Sequence, residues 1–361
     1  MALSSNRDPI GVAVAGLGFG ASVHLPALEA NPDLKAVALW HPRSERLDQV
    51  GRDTSLKGYE AFDALLEDPS VEAVIIATPP GPRYDLALRA LAAGKHLLLE
   101  KPVALNADQV ADLQRTASSA GLSVAVDFEY RAVPLFQQTE KLLSNGAIGT
   151  PWLARLDWLM SSRANPKRPW NWYAKADEGG GVLGALGTHA FDMLAWLIGP
   201  VQTLPSITQT ATAHRPDPSG DSQAGTAEDI ALINTTLTTH QGAPLAAQVA
   251  LASVARNGRG CWLEIYGSEG SLKLGSENQK DYVHGFSLTL QRDGEPPRSI
   301  QAAEEFRFAK TWSDGRVAPV ARLQGWWAES MRSGRPMVPG LLEGLASQKA
   351  CDLCLEMALG Q

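Results

Sequence analysis

Ile10 to Leu28 reads IGVAVAGLGFGASVHLPAL, and this stretch decides the fold. Residues 10–15 are apolar and partly β-branched, the pattern of a strand buried on both faces. The run ends in Gly16-Leu-Gly18-Phe-Gly20-Ala21, where a helix-compatible segment begins. A G-x-G-x-x-G/A turn between a strand and a helix is the dinucleotide-binding fingerprint. Gly16 permits the tight turn, Gly18 lets a pyrophosphate approach the backbone, and Ala21 is small enough for the helix to pack on the strand. Unpaired N–H groups and the helix dipole favour phosphate there. Gly16, Gly18, Phe19, Gly20 and Ala21 are therefore candidate cofactor contacts.

At 361 residues the chain exceeds one ordinary core, so two domains are expected. A composition 44% hydrophobic and 20% charged is that of a globular protein. A net charge of −7 without a basic block gives no footing for nucleic acid or an anionic membrane. No run approaches ~18 apolar residues, and MALSSNRDP lacks a signal peptide's apolar core, so a cytoplasmic location is expected. Cys351 and Cys354 form a C-x-x-C in the helix-like KACDLCLEMAL; a buried helix face is expected rather than redox or zinc chemistry. No His/Asp/Glu/Cys cluster has ligand spacing, so no metal is expected.

A second strand, 34–40, runs into His41-Pro-Arg43-Ser-Glu-Arg46. An NAD-binding unit carries an acid there for the ribose 2′-hydroxyl. Here His41 and Arg43 hold those positions and the first acid is Glu45, which favours the 2′-phosphate of NADP(H) over NAD(H). In the competing reading Arg43 and Arg46 are solvated loop charges. A short helix ends before Pro69, and strand 71–77 stops at Thr78-Pro79-Pro80. Helix 86–93 closes at Gly94, and strand 95–99 delivers Glu100-Lys101-Pro102. This alternation predicts right-handed crossovers and a parallel sheet, with Gly16, Thr78, Pro79, Glu100 and Lys101 converging on one crevice. Asn106 and Gln109 form an N-cap box for a helix ending at Gly121. The domain boundary is placed after strand 122–128, giving units 1–128 and 129–361.

Beyond Tyr130 come helix 134–144 and period-2 strands at 152–160, 230–239, 245–254, 261–266 and 286–291. Helix returns at 181–197, 320–333 and 341–359, while 203–227 reads as a surface loop. The fold class is α/β: a dinucleotide-binding domain followed by an α+β domain with a large, mostly antiparallel sheet.

GLGFGASVHLPAL, VEAVIIATPP, AGKHLLLEKP, DFEYR and EGGGVLGALGTHAFDML, in this order, resemble the glucose–fructose oxidoreductase/inositol dehydrogenase (Gfo/Idh/MocA) family from about residue 9 to 358. The resemblance implies an N-terminal Rossmann domain and a C-terminal domain whose open-faced sheet builds a homo-oligomer, dimer or tetramer. It implies NAD(P)-dependent oxidation of a sugar or polyol carbon, or the reverse, on a small carbohydrate-like substrate. Lys101 matches the catalytic lysine, Glu100 the residue beside the nicotinamide ribose, and His189 the family histidine, a proton carrier near neutral pH. Asp192, three residues on, is expected to be structural. Family members often carry aspartate four residues before that histidine; here the position is Ala185.

Tyr173, Tyr130 and Arg131 are candidate substitutes for the missing carboxylate. Tyr130, Arg168, Trp172, Tyr173 and Thr188 are candidate substrate contacts, the aromatics forming either a sugar-stacking wall or a lid anchored by burial. His24 either faces the cofactor cleft or packs on the helix surface. Two other functions stay open: a glycosidase using tightly held NAD⁺ for transient oxidation, and a non-catalytic cofactor-binding sensor.

Overall fold

Strand β1 (Ile10–Ala15) lies inside a six-stranded sheet with β2 (Leu34–Trp40), β3 (Lys57–Tyr59), β4 (Ala73–Ile76), β5 (His96–Leu99) and β6 (Val124–Val126). The structure is a computed structural model and describes residues 8–203, 205–278 and 283–359. The spatial order is β3-β2-β1-β4-β5-β6 and every pairing is parallel. The order reverses between β1 and β4, which opens a crevice at the strands' carboxyl ends.

After the glycine turn the backbone makes a wide π-helical turn over Gly20–His24 and then α1 (Leu25–Glu29). α2 (Ser44–Thr54) begins just after Arg43 and is a helix not expected from the sequence. α3 (Phe62–Leu66) is short, and α4 (Pro80–Ala92) starts six residues before the expected 86. Pro80 suits a first helical position, since its fixed φ is helical and a first-turn N–H is unpaired anyway. In α5 (Ala107–Ala120) the Asn106 side chain accepts from the Gln109 N–H at 3.0 Å, and Gly121 ends the helix at φ 66°.

The second half carries α6 (Pro134–Ser144), β7 (Pro151–Leu159), α7 (Thr188–Leu197), β8 (Val201–Thr203), β9 (Ser206–Gln209) and the small pair β10 (His214–Pro216) and β11 (Ser222–Ala224). β12 (Ile230–Thr238), β13 (Pro244–Ala252), β14 (Gly260–Gly267), β15 (Gly270–Ser276), β16 (Ser287–Arg292) and β17 (Arg298–Ile300) complete it. The large sheet runs β17-β16-β15-β14-β7-β13-β12-β8, with β9 also on β12. Only the β7–β13 pairing is parallel in it. Side chains on β12 and β13 alternate between buried and open; the buried face packs on α6 and α7 through Phe136, Phe191 and Leu194. Trp152, Leu153, Ile207 and Leu232 are exposed.

The expected surface loop 203–227 is instead built into the fold. It holds β9 and the β10–β11 hairpin, Pro216 O accepts from the Trp170 N–H at 2.6 Å, and the Arg215 guanidinium binds the carbonyls of Arg163 and Asn165. A Ser/Thr/Pro-rich composition hides these partners because they come from another segment.

α8 (Val317–Ser333) and α9 (Leu341–Leu359) return to the first sheet. Trp327 is fully buried and packs with Val12, Val14 and Leu39; Leu341 packs with Val103 and Val126. The crevice itself is tied from beneath. Arg83, buried on α4, donates to Glu100 O at 2.6 Å and also to the carbonyls of Pro102 and Thr78. One guanidinium thus gathers the ends of β4 and β5. Arg83→Met leaves buried carbonyls without donors and is expected to cost about 2–4 kcal/mol in denaturant unfolding. A loss under about 1 kcal/mol would show that the tie is dispensable.

Candidate active site

The strand ends and the second half enclose one cleft of about 720 Å³. Of the residues expected from sequence, Gly16, Gly18, Phe19, His41, Thr78, Pro79, Glu100, Lys101, Tyr130, Trp172, Tyr173 and His189 line it. Gly20, Ala21, Arg43, Arg168 and Thr188 are not on its wall.

The glycine turn fits a dinucleotide. Gly16 has φ +97° and a Cβ there would lie 2.7 Å from the Ala77 carbonyl carbon, so only glycine passes. A Cβ on Gly18 would meet nothing within 4 Å, leaving that side open for a ligand. The close helix–strand approach falls on Gly20, whose Cβ would be 2.7 Å from Val14 Cγ1, and not on Ala21 as expected. Thr78 Oγ1 is buried on the crevice wall without a protein partner, an atom that a bound ligand can satisfy.

At the end of β2, His41 reaches the cleft while Arg43 is exposed. His41 Nδ1 accepts from the Arg43 N–H, and burial, with the charge of Arg43, lowers its pKa. Positive charge near this end comes from Arg43 and from Arg46, whose guanidinium also donates to Leu17 O in the glycine turn at 3.4 Å.

His24 neither faces the cleft nor packs on the surface. It is fully buried, with Nε2 at 2.9 Å from Glu100 Oε1 and 3.6 Å from Asp127 Oδ2. These three groups lie within 4.8 Å of one another, a clustering that their sequence spacing conceals. Burial would raise the Glu100 pKa, but the hydrogen bond and charge of His24, with Lys101 adding to them, bring it down to about 2. Asp127 goes the other way: burial, then the charges of Glu100 and Glu129, push it well above the carboxylate range.

Lys101 Nζ donates to Ala185 O at 3.0 Å, which joins the first domain's motif to the turn that precedes His189. That turn, Leu183–Gly187, is π-helical and leads into α7. The glycine triplet before it answers to close packing. A Cβ on Gly180 would collide with the carbonyls of Trp172, Tyr173 and Lys175, and one on Gly181 with the Glu228 carboxylate.

His189 is buried, edge-on to Tyr130 at 4.9 Å, with Nε2 3.6 Å from Glu129 Oε2. Burial, and then the Lys101 charge, hold its pKa well below the ordinary value. The expectation of a histidine titrating near neutrality is thereby corrected: the imidazole is neutral. Glu129, also on the cleft wall, is the group near neutrality. Burial raises it to about 7 against the opposing pull of Lys101.

Arg131 is not available as a proton donor to substrate. Its guanidinium makes a buried bidentate pair with Asp192 at 2.7 and 2.9 Å, which fixes the Glu129–Ala132 turn to α7. Thr188 Oγ1 donates to Gly184 O, and Arg168 is exposed and donates to Ser162 O; both are therefore corrected as wall residues. Trp172 and Tyr173 sit in one short turn capped by the Asn171 side chain, with the Arg163 guanidinium over the Tyr173 ring. Cys351 and Cys354 are free and buried; burial raises both thiols, Cys354 to about 12. Sequence reasoning missed Arg83, Glu129, Trp158 and Arg316. Arg316 enters the cleft from the loop before α8 and lies over Phe19.

Residues 10–128 match the family model described as oxidoreductase family, NAD-binding Rossmann fold. Residues 140–359 match the one described as oxidoreductase family, C-terminal alpha/beta domain. The chain is similar to an uncharacterized oxidoreductase of Synechocystis sp., 44% identical over 345 residues, 95% of this chain and 92% of that one. It is 27% identical to the levoglucosan dehydrogenase of Pseudarthrobacter phenanthrenivorans over 270 residues, 72% of this chain and 66% of that one. A solved levoglucosan dehydrogenase, in complex with NADH and levoglucosan, shares the fold with a TM-score of 0.86 at 22% identity, covering 98% of this chain and 97% of that one.

The electrostatics carry a test. In ¹⁵N NMR, the His189 imidazole is expected to stay neutral through the ordinary histidine range near 6.5, because the charged form is penalised by burial and by Lys101. Titration of His189 at its ordinary value would contradict this site.

Proposed function

The chain belongs to the Gfo/Idh/MocA oxidoreductase family, and from that premise we propose that it exchanges hydride between NADP(H) and one carbinol of a sugar, polyol or related hydroxy compound. The observation carrying this reading is that Lys101 and His189, from opposite halves of the chain, line the cleft that also holds the open glycine turn. Gly16, Gly18, Phe19, Thr78, Pro79 and Glu100 would hold the dinucleotide. When bound, the nicotinamide supplies the hydride acceptor or donor. Lys101 spends one N–H on Ala185 O and keeps others for the reacting oxygen, whose developing charge it stabilises. The neutral imidazole of His189 positions the same oxygen. Trp172 and Tyr173 offer flat apolar surface to the C–H face of a sugar ring, and Tyr130 bounds the site beside His189.

Preference for NADP(H) over NAD(H) rests on the end of β2. Its cleft residues Trp40, His41 and Pro42 include no carboxylate, and Arg43 and Arg46 stand beside them. We place the domain boundary after Phe128. A homo-oligomer would cover the apolar patch of Trp152, Leu153, Ile207 and Leu232 on the open sheet. No helix among the described residues is long and apolar enough to cross a membrane, and we assign the chain to the cytoplasm.

The chain contains ten tryptophans, of which Trp40, Trp158 and Trp172 line the cleft, so bound nicotinamide is expected to quench their emission. NADPH should bind at least about tenfold more tightly than NADH, a difference of about 1.4 kcal/mol. Tighter NADH binding would refute the cofactor preference, and no saturable binding by nucleotide-free protein would refute the oxidoreductase reading. Lys101→Met is expected to lower turnover by about 10²-fold or more with cofactor affinity nearly unchanged. Retained turnover would remove Lys101 from the chemistry.

A further inference from the structure

The family's usual carboxylate is missing at Ala185, yet the cleft is not short of one. Glu129 follows β6, two residues beyond Asp127, on the short turn Glu129–Ala132. Its carboxylate lines the cleft and comes within 3.6 Å of His189 Nε2, while Ala185 lines the same cleft one turn before His189. Two fixtures hold the arrangement, one buried and one at the cleft wall. The Arg131–Asp192 pair clamps the turn to α7, and the Lys101–Ala185 hydrogen bond joins the first domain to the turn before α7.

We propose that Glu129 is the proton-accepting residue of this enzyme, a carboxylate supplied from the end of β6 where the family pattern often carries an aspartate at position 185. The inference rests on the hydride-transfer reading above. In the oxidising direction the carbinol C–H bond breaks and its electron pair goes to the oxidised nicotinamide. The O–H bond breaks as well, its proton passes to the Glu129 carboxylate, and the C=O bond forms. The substrate loses two electrons and the cofactor gains them, so no further reactant is needed. Lys101 remains a cation throughout and donates to the oxygen; neutral His189 orients it.

The surroundings suit Glu129 to this task. Lys101 and Arg316 face it and favour its charged form, while burial and Glu100 favour the neutral form; Asp127, held protonated, and His189 beside it carry no charge. The balance leaves Glu129 at about 7, where a general base takes up and releases protons most readily. Two of the other candidates are committed elsewhere. Tyr173 lies under the Arg163 guanidinium and Arg131 is spent on Asp192.

The test uses the full chain with the polyol that the wild type oxidises fastest among myo-inositol, levoglucosan and D-glucose, with oxidised NADP. In Glu129→Gln, kcat for oxidation is expected to fall about 10²-fold or more, and the rise in rate through about pH 7 is expected to vanish. The double variant Glu129→Gln with Ala185→Asp should recover at least about tenfold of that loss, which a merely structural role for Glu129 would not allow. A second readout needs no substrate. Between the ordinary 4.5 and about 7 the folded chain keeps a proton that the unfolded chain has released, so wild-type stability falls as pH rises through that window. Glu129→Gln removes that fall and should gain in Tm relative to the wild type from about pH 5 to about pH 8. If Glu129→Gln keeps the wild-type kcat and pH profile, the proposal is overturned, as it is by parallel Tm curves. A wild type that oxidises none of the polyols would count against the functional reading, and the Tm comparison would still decide whether Glu129 carries the proton.

Discussion

Everything in the cleft depends on the Arg83 guanidinium. Strand ends carry carbonyls that no longer have ladder partners. Arg83 supplies the donors for Thr78, Glu100 and Pro102 together. Burial lowers its pKa only to about 10, so it stays charged. The Glu100 charge helps to hold it protonated, while its hydrogen bonds go to carbonyls. The second half repeats the device differently: Arg131 meets Asp192 as a buried ion pair, which ties the Glu129–Ala132 turn to α7. Breaking such a pair costs more than forming it gains, so its value lies in fixing geometry.

The cleft wall gathers Glu100 and Glu129 with Lys101 and Arg316, and Asp127 is buried beside Glu100. Identical chemistry gives three different acids because the partners differ. Glu100 has His24 at 2.9 Å and is driven down, Asp127 is buried against the charges of Glu100 and Glu129 and is driven up, and Glu129 faces cations across the cleft and lies between them. Hydride chemistry needs this kind of separation, since one group must remain charged beside the dinucleotide while another exchanges a proton.

Much of the first domain could be read from residues alone, because its signals are local. Apolar runs of four to seven residues gave the parallel strands, and the strand-end residues Gly16, Thr78 and Lys101 do share one cleft. Helix 341–359 was also legible. The misses are those whose cause lies far away in sequence. α2 is mostly polar, and 203–227 finds its partners on the segment around Trp170. Glu129 looked like an ordinary acid in DFEYR; only folding puts it beside His189, 60 residues on. Periodicity can place a residue on a strand end, but it cannot say which of two distant positions supplies a carboxylate. The same limit misassigned Thr188 and Arg168, whose side chains satisfy nearby backbone carbonyls instead of facing the cleft.

The central claim is that the two halves meet to pass hydride between a hydroxylated carbon and the nicotinamide. Carbon-deuterated myo-inositol, levoglucosan and glucose, each incubated with the chain and oxidised NADP, test it most directly when the nucleotide is read by mass spectrometry. The account predicts one deuterium in the reduced nucleotide, together with net formation of the carbonyl product. Cofactor that binds in the cleft but acquires no label from any of them, or label that returns to the substrate with cleavage of a glycosidic bond, would contradict it.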